Sequence, residues 1–108
     1  MNGRRVVVTG LGIVSPVGNG IEPAWDRIKR GESGIAPIAR FDTEQFAVRF
    51  GGEIRDFDVT AYISRKDARK MDPFVHYGIA AAVDALGDSG LEITEANAER
   101  IGISVGSG

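Results

Sequence analysis

None of the 108 residues is cysteine, which removes disulfides, thiolate metal sites and cysteine nucleophiles from this chain. Histidine occurs once, as His76, and one imidazole without a cysteine or second histidine cannot build an ordinary protein zinc site. At helical spacing His76 falls near the side of Asp84 and away from the Val75, Ile79 and Val83 stripe, so a surface or boundary histidine is expected. No apolar run approaches the roughly 20 residues that span a bilayer. The start has a basic pair, Arg4-Arg5, but no long apolar core after it, so the default compartment is the cytoplasm. Neither sign of charge prevails: 13 Lys and Arg against 15 Asp and Glu give a formal charge of -2. That balance gives no reason to expect nucleic acid or a membrane as the main partner. A hydrophobic share of 43% and a charged share of 26% suit a globular chain long enough for one small domain, burying about two-thirds of its unfolded surface.

What the sequence does contain begins with Val6-Val7-Val8-Thr9, apolar on both faces and β-branched, running into a glycine- and proline-rich turn through Gly18. Such a run predicts a strand covered on both sides, as in a parallel sheet flanked by helices, and places the chain in the α/β class. Gly10-Leu11-Gly12-Ile13-Val14-Ser15 invites comparison with the dinucleotide fingerprint. Its third glycine is replaced by Ser15, Pro16 follows, and the first predicted helix begins several residues too late. A tight strand-to-loop turn is the better reading, and a nicotinamide-dependent oxidoreductase is a distant alternative.

Ile21, Trp25 and Ile28 recur at helical spacing after Pro23, with Gly31 as a left-handed stop and Trp25 as the expected core anchor. Ser33 to Pro37 reads as a connector, and Phe46, Val48 and Phe50 alternate as a short strand or extended arm before Gly51-Gly52. Ser64 and Asp67 have capping-box spacing within a charged stretch of one or two short helices. Asp72-Pro73 opens a helix from Phe74 to about Asp88, apolar nearly all round and rich in small residues, so it should be buried. Asp84 and Asp88 share one of its faces, a spacing open to acid–base chemistry but more simply explained by helix solubility. Ser89-Gly90 ends that helix, Thr94 caps a short turn through Arg100, and Ile101 to Val105 alternate as a final strand. No repeat or linker divides residues 1–108. Two parallel-type strands make too narrow a sheet to cover itself, so the chain is expected to be a portion of a longer protein.

Lys66, Arg69 and Lys70, spaced by three and four with Arg65 beside them, should place positive charge on one face of a slightly acidic chain. Taken alone, these residues favour a solvated face partly neutralised by Asp67 and Asp72. Gly106-Ser107-Gly108 could line a site, because missing side chains permit close approach, and turn geometry explains it about as well.

The run from Val6 to Gly18, followed in order by Gly31-Glu32-Ser33-Gly34-Ile35, Phe41-Asp42, Ser64 to Asp72, Asp88-Ser89-Gly90-Leu91 and Gly106-Ser107-Gly108, resembles the start of the β-ketoacyl-acyl-carrier-protein synthases. The resemblance covers the whole chain, and the Arg-Lys-x-x-Arg-Lys-Met-Asp segment is similar to the type II elongation class. It implies a thiolase-like layered α/β/α/β/α fold, of which residues 1–108 would be an N-terminal part. It also implies a homodimeric acyltransferase that loads an acyl group on a cysteine, decarboxylates malonyl-acyl-carrier protein and joins the two. Two histidines further along would assist, and neither a metal nor a dissociable cofactor would be needed. By the same resemblance Lys66, Arg69 and Lys70, with Arg65 a weaker member, dock the acyl carrier protein, and Gly106, Ser107 and Gly108 lead to the gate of the acyl pocket. No catalytic residue of the family falls in this segment, which alone should catalyse nothing. A polyketide ketosynthase or a non-catalytic chain-length-factor-like partner would share such a beginning.

Overall fold

Seventeen residues, Pro73–Ser89, form the longest helix, and Gly10 and Gly12 lie close on its backbone. A computed structural model describes residues 3–107. In chain order the elements are β1 (Val14–Ser15), β2 (Gly18–Asn19), α1 (Ile21–Lys29), β3 (Ile35–Pro37), β4 (Phe50–Gly52), a 3-10 turn at Val59–Ala61, α2 (Arg65–Ala68), α3 (Pro73–Ser89) and a 3-10 turn at Ala98–Arg100. β1 and β2 make one antiparallel hairpin, β3 and β4 another, the latter pairing Ile35 with Gly52 and Pro37 with Phe50.

The helices start and stop as their sequences predict. Pro73 stands at the first turn of α3, and Gly90 ends it in the left-handed conformation. Asp72 is the N-cap residue, although its side chain makes no capping bond. α1 closes on a Schellman motif: the Gly31 N–H reaches the Ile28 carbonyl at 2.9 Å and the Glu32 N–H the Arg27 carbonyl at 3.0 Å. That geometry requires the positive φ of 70° that glycine adopts freely at position 31. Glu32 then ties the end of the helix by accepting from Arg27 at 2.9 Å and Arg30 at 3.1 Å, and both cations hold its carboxyl below the usual range, Arg30 most of all.

Three expectations are corrected. Val6 to Thr9 is not a paired strand; among the described residues it has no ladder partner, and Val6 is 91% exposed. Ile101 to Val105 is likewise unpaired, with Ile103 70% exposed. Thr9 and Gly10 from one segment and Gly102 to Val105 from the other line a cleft of about 400 Å³. A ladder needs neighbours about 4.8 Å apart, and neither segment has one. Second, Trp25 is not a core anchor: it is 56% exposed and borders a shallow apolar depression with Leu11, Ile13, Ile21 and Ile28. Third, α3 is only partly covered. Ala80 is fully buried, but Phe74 and Val83 are exposed, and the other buried apolar residues are Ala24, Ile63 and Ala68. Among the described residues these apolar faces have no cover.

The predicted connector Ser33 to Pro37 contains β3, and the expected strand at Phe46 to Phe50 begins only at Phe50. Ahead of it the Arg49 carbonyl still accepts the Ile38 N–H at 2.9 Å, while the Arg49 guanidinium turns back on the loop, donating to the Glu44 carbonyl at 2.7 Å and the Phe46 carbonyl at 3.1 Å. At the other end of the hairpin, the Glu53 carboxylate accepts the Ala39 N–H at 2.9 Å and the Arg40 N–H at 3.1 Å. These bonds, that from Ala39 foremost, hold its pKa below the ordinary 4.5. A depressed carboxyl pKa stabilises the folded loop above the ordinary value and ceases to do so as pH falls through the lower folded value. Hydrogen exchange at Ala39 and Arg40 is therefore expected to gain an extra acceleration on acidification below pH 4.5, absent in Glu53→Gln. An identical acid profile in the two proteins would show that the carboxylate does not hold the loop.

Candidate carrier-docking surface

Ser64 starts α2 by accepting the Asp67 N–H on its Oγ at 3.1 Å. The reciprocal half of the predicted capping box is replaced: the Ser64 hydroxyl donates to the Asp67 carboxylate at 2.8 Å, so that acid braces the cap instead of a backbone N–H. The helix lasts one turn, Arg65–Ala68. Lys70 N–H to the Asp67 carbonyl at 3.0 Å and Met71 N–H to the Ala68 carbonyl at 3.2 Å then tighten the chain into a 3-10-like exit. The expected helical face thus becomes a short turn that presents Arg65, Lys66, Arg69 and Lys70 together, all exposed.

Neutralisation of this turn is slight. Lys70 Nζ stands 3.9 Å from Asp67 Oδ1, and among the described residues neither Arg65, Lys66 nor Arg69 has an ion-pair partner within 4.0 Å. An exposed pair at that distance contributes little. Three unpaired cations in a chain of net charge -2 make a local positive field suited to an acidic partner.

Beneath the turn, side chains join it to α3. The Tyr62 hydroxyl donates to Asp84 Oδ2 at 2.9 Å, and this bond to the carboxylate is the chief reason that the phenol pKa is raised. His76 Nε2 lies 2.8 Å from the Ala68 carbonyl oxygen. A carbonyl can only accept, so Nε2 carries the hydrogen. Phe57 stacks on Tyr62 with centroids 6.0 Å apart and meets the edge of Tyr77 at 5.1 Å. Arg40 donates to the Tyr77 hydroxyl at 2.6 Å.

Beside these residues, a groove of about 770 Å³ runs along α3, bordered by Phe74, Tyr77, Val83, Val105, Gly106 and Ser107. Its walls are apolar, so it accepts hydrocarbon rather than charge. Gly106 and Ser107 thus border a cavity, while Gly108 lies outside the described residues. Gly10 and Gly12 make no phosphate cradle. A Cβ at either would strike the α3 backbone, at the Ala85 and Ala81 carbonyl oxygens respectively.

Sequence reasoning missed what Asp84, Asp88 and His76 do. Asp84 receives Tyr62, Asp88 Oδ2 receives the Leu11 N–H at 2.9 Å, and neither partner is near in sequence. The spacing of the two acids placed them correctly on one face, but their role is to pin other segments to α3. Among the described residues no group of three or more His, Cys, Asp or Glu is placed to hold a metal, and no helix is long and apolar enough to cross a membrane.

The described residues thus combine an apolar helix lined by glycine-tight segments, a basic turn at its start and an apolar groove along its side. Residues 3–108 match the family described as "Beta-ketoacyl synthase, N-terminal domain", and the chain belongs to that family. Its fold is accordingly the thiolase-like layered fold. It is 58% identical over its full length to 3-oxoacyl-[acyl-carrier-protein] synthase 2 of Vibrio harveyi, covering 26% of that protein. With the synthase of the same name from Synechocystis it shares 47% identity over 97% of the chain and 25% of the relative. The chain therefore spans about a quarter of the length of these curated relatives. Among solved structures, "The ishigamide ketosynthase/chain length factor" superposes with a TM-score of 0.75 at 39% identity, over 82% of this chain and 22% of that one.

Proposed function

We propose that the protein carrying this segment is a 3-oxoacyl-acyl-carrier-protein synthase of fatty acid elongation. The match over the entire segment to synthases of that name is the observation that supports the reading most directly. In such a reaction an enzyme thiol takes the acyl group from its thioester. Loss of CO2 from malonyl-acyl-carrier protein then leaves a carbanion that attacks the acyl carbonyl. The carbon–carbon bond forms as the carbon–sulfur bond breaks, and the thiol is regenerated. That thiol must come from outside these 108 residues, which contain no cysteine. The segment's own contribution is recognition: Lys66, Arg69 and Lys70, assisted by Arg65, receive an acidic face of the carrier protein, and Gly106 to Gly108 approach the acyl pocket. A cytoplasmic homodimer requiring no metal or dissociable cofactor completes the reading.

Purified complete protein, given an acyl primer and malonyl-acyl-carrier protein, is expected to release one CO2 for each 3-oxoacyl product, longer than the primer by two carbons. Absence of both would overturn the assignment. The solved ketosynthase/chain-length-factor neighbour motivates a second reading, a non-catalytic partner. Such a protein would yield no product alone and would restore product formation when mixed with a separate ketosynthase.

A further inference from the structure

We infer that Tyr62, Asp84 and His76 are positioning residues that clamp the basic turn at its two ends onto α3, a role that rests on the docking reading of Lys66, Arg69 and Lys70 given above. A helix of four residues cannot hold itself in water, because its one or two internal hydrogen bonds do not repay the dihedral freedom lost in forming the first turn. The Ser64 cap is local to the turn and moves with it. Two bonds that leave the turn fix it to the rest of the molecule. At the entrance, the Tyr62 hydroxyl reaches Asp84 at 2.9 Å across 22 positions of sequence. At the exit, the Ala68 carbonyl receives His76 Nε2 at 2.8 Å.

The geometry of the anchors matters as much as their number. His76 and Asp84 both belong to α3 and stand eight residues apart, which at 1.5 Å per residue separates them by roughly 12 Å along the axis. One anchor would leave the turn free to swing; two so separated remove that rotation. The anchored residues flank Arg65 and Lys66, with Tyr62 three residues before Arg65, and Ala68 stands immediately before Arg69 and Lys70. Arg65, Lys66 and Arg69 have no ion-pair partner among the described residues to preset their direction, so their placement depends on the backbone beneath. Ile63 and Ala68 are the buried residues of this stretch. A backbone held before the partner arrives reduces the ordering cost of binding and keeps the charges in register with the opposing acids.

The test compares two substrate sets in the complete protein: acyl- and malonyl-acyl-carrier protein, and a small set, acyl and malonyl N-acetylcysteamine thioesters, that needs no docking. His76→Ala and Tyr62→Phe should each raise KM for the carrier-bound substrate by roughly 2- to 10-fold, the span of a lost hydrogen bond. Both should leave kinetics on the small thioesters unchanged. His76→Gln, whose side-chain amide also donates an N–H at similar reach, should recover most of the loss. Equal losses on both substrate sets would mean general damage to the fold, and unchanged KM for the carrier would mean that the clamp is irrelevant; either overturns the inference. Should His76→Ala fail to fold, Tyr62→Phe still decides, since it deletes one oxygen and keeps the ring stacked on Phe57. The triple variant Lys66→Glu, Arg69→Glu, Lys70→Glu separates the two levels of argument. If it impairs carrier use while the clamp variants do not, the positioning role alone is lost. If it has no effect, docking at this turn is lost and the positioning role with it.

Discussion

Gly12→Val is expected to cost on the order of 3 kcal/mol or more of stability, a large share of the roughly 5–15 kcal/mol that holds an ordinary domain folded. The reason is the character of what the new side chain would meet. A Cβ at position 12 would overlap the Ala81 carbonyl oxygen and come within 2.8 Å of the Ala85 nitrogen, and at position 10 it would strike the Ala85 carbonyl and lie 2.7 Å from the Ser89 nitrogen. All are backbone atoms of α3. A flexible side chain can rotate away from an intruder, but a helix backbone moves only by shifting as a body or breaking its own hydrogen bonds. The loop would have to lift instead, and the Leu11 N–H would lose Asp88, now 2.9 Å away. Gly87→Ala is the control on the same helix. It has open space around the added methyl, so helix propensity should dominate and stabilise by about 0.5 to 1 kcal/mol. Thermal denaturation of both variants settles the matter: equal and small effects would mean that the segment does not rest on α3 as described.

Reversing Lys66, Arg69 and Lys70 to glutamate together should raise KM for carrier-bound substrate by on the order of 100-fold at low salt, with the small thioesters turned over as before. The magnitude follows from replacing three attractions with three repulsions on an exposed surface, where each is individually modest. Salt provides an internal check. The screening length falls from about 8 Å at 0.15 M to about 3 Å at 1 M, so the native protein should lose carrier affinity with added salt while the reversed protein regains some. Parallel salt dependence in the two would remove charge from the account of docking, and loss on both substrates would point to a disturbed fold.

Local signals in the sequence were reliable where local chemistry decides. Pro73 and Gly90 bounded α3, Gly31 closed α1 and Ser64 opened α2, because each choice involves only neighbouring backbone groups. The exposed basic residues were legible for the same reason: a charge run needs no distant partner to be recognised. Trp25, Val6 to Thr9 and Ile101 to Val105 were misjudged because burial and strand pairing depend on groups elsewhere. Their apolar pattern reports which faces are made to be covered, whereas exposure reports what is present to cover them. Asp84, Asp88 and His76 were placed on the right faces of α3, but their partners Tyr62, Leu11 and Ala68 arrive from separate stretches of chain, which no spacing rule connects. Resemblance supplied the docking and acyl-pocket assignments, which the residues alone left evenly or unfavourably balanced.

The unpaired valines at positions 6 to 8, 91%, 70% and 79% exposed, set a problem of timing. In a protein of the relatives' length, roughly three-quarters of the polypeptide lies beyond a segment of this size. At synthesis rates of about 5–20 residues per second, an uncovered apolar segment near the start of such a protein would wait tens of seconds before the rest of the chain was made. Bare, β-branched and apolar, it is then a template for the wrong strand. Exposure of this kind would put a growing chain at risk of wrong pairing for as long as the valines stay uncovered.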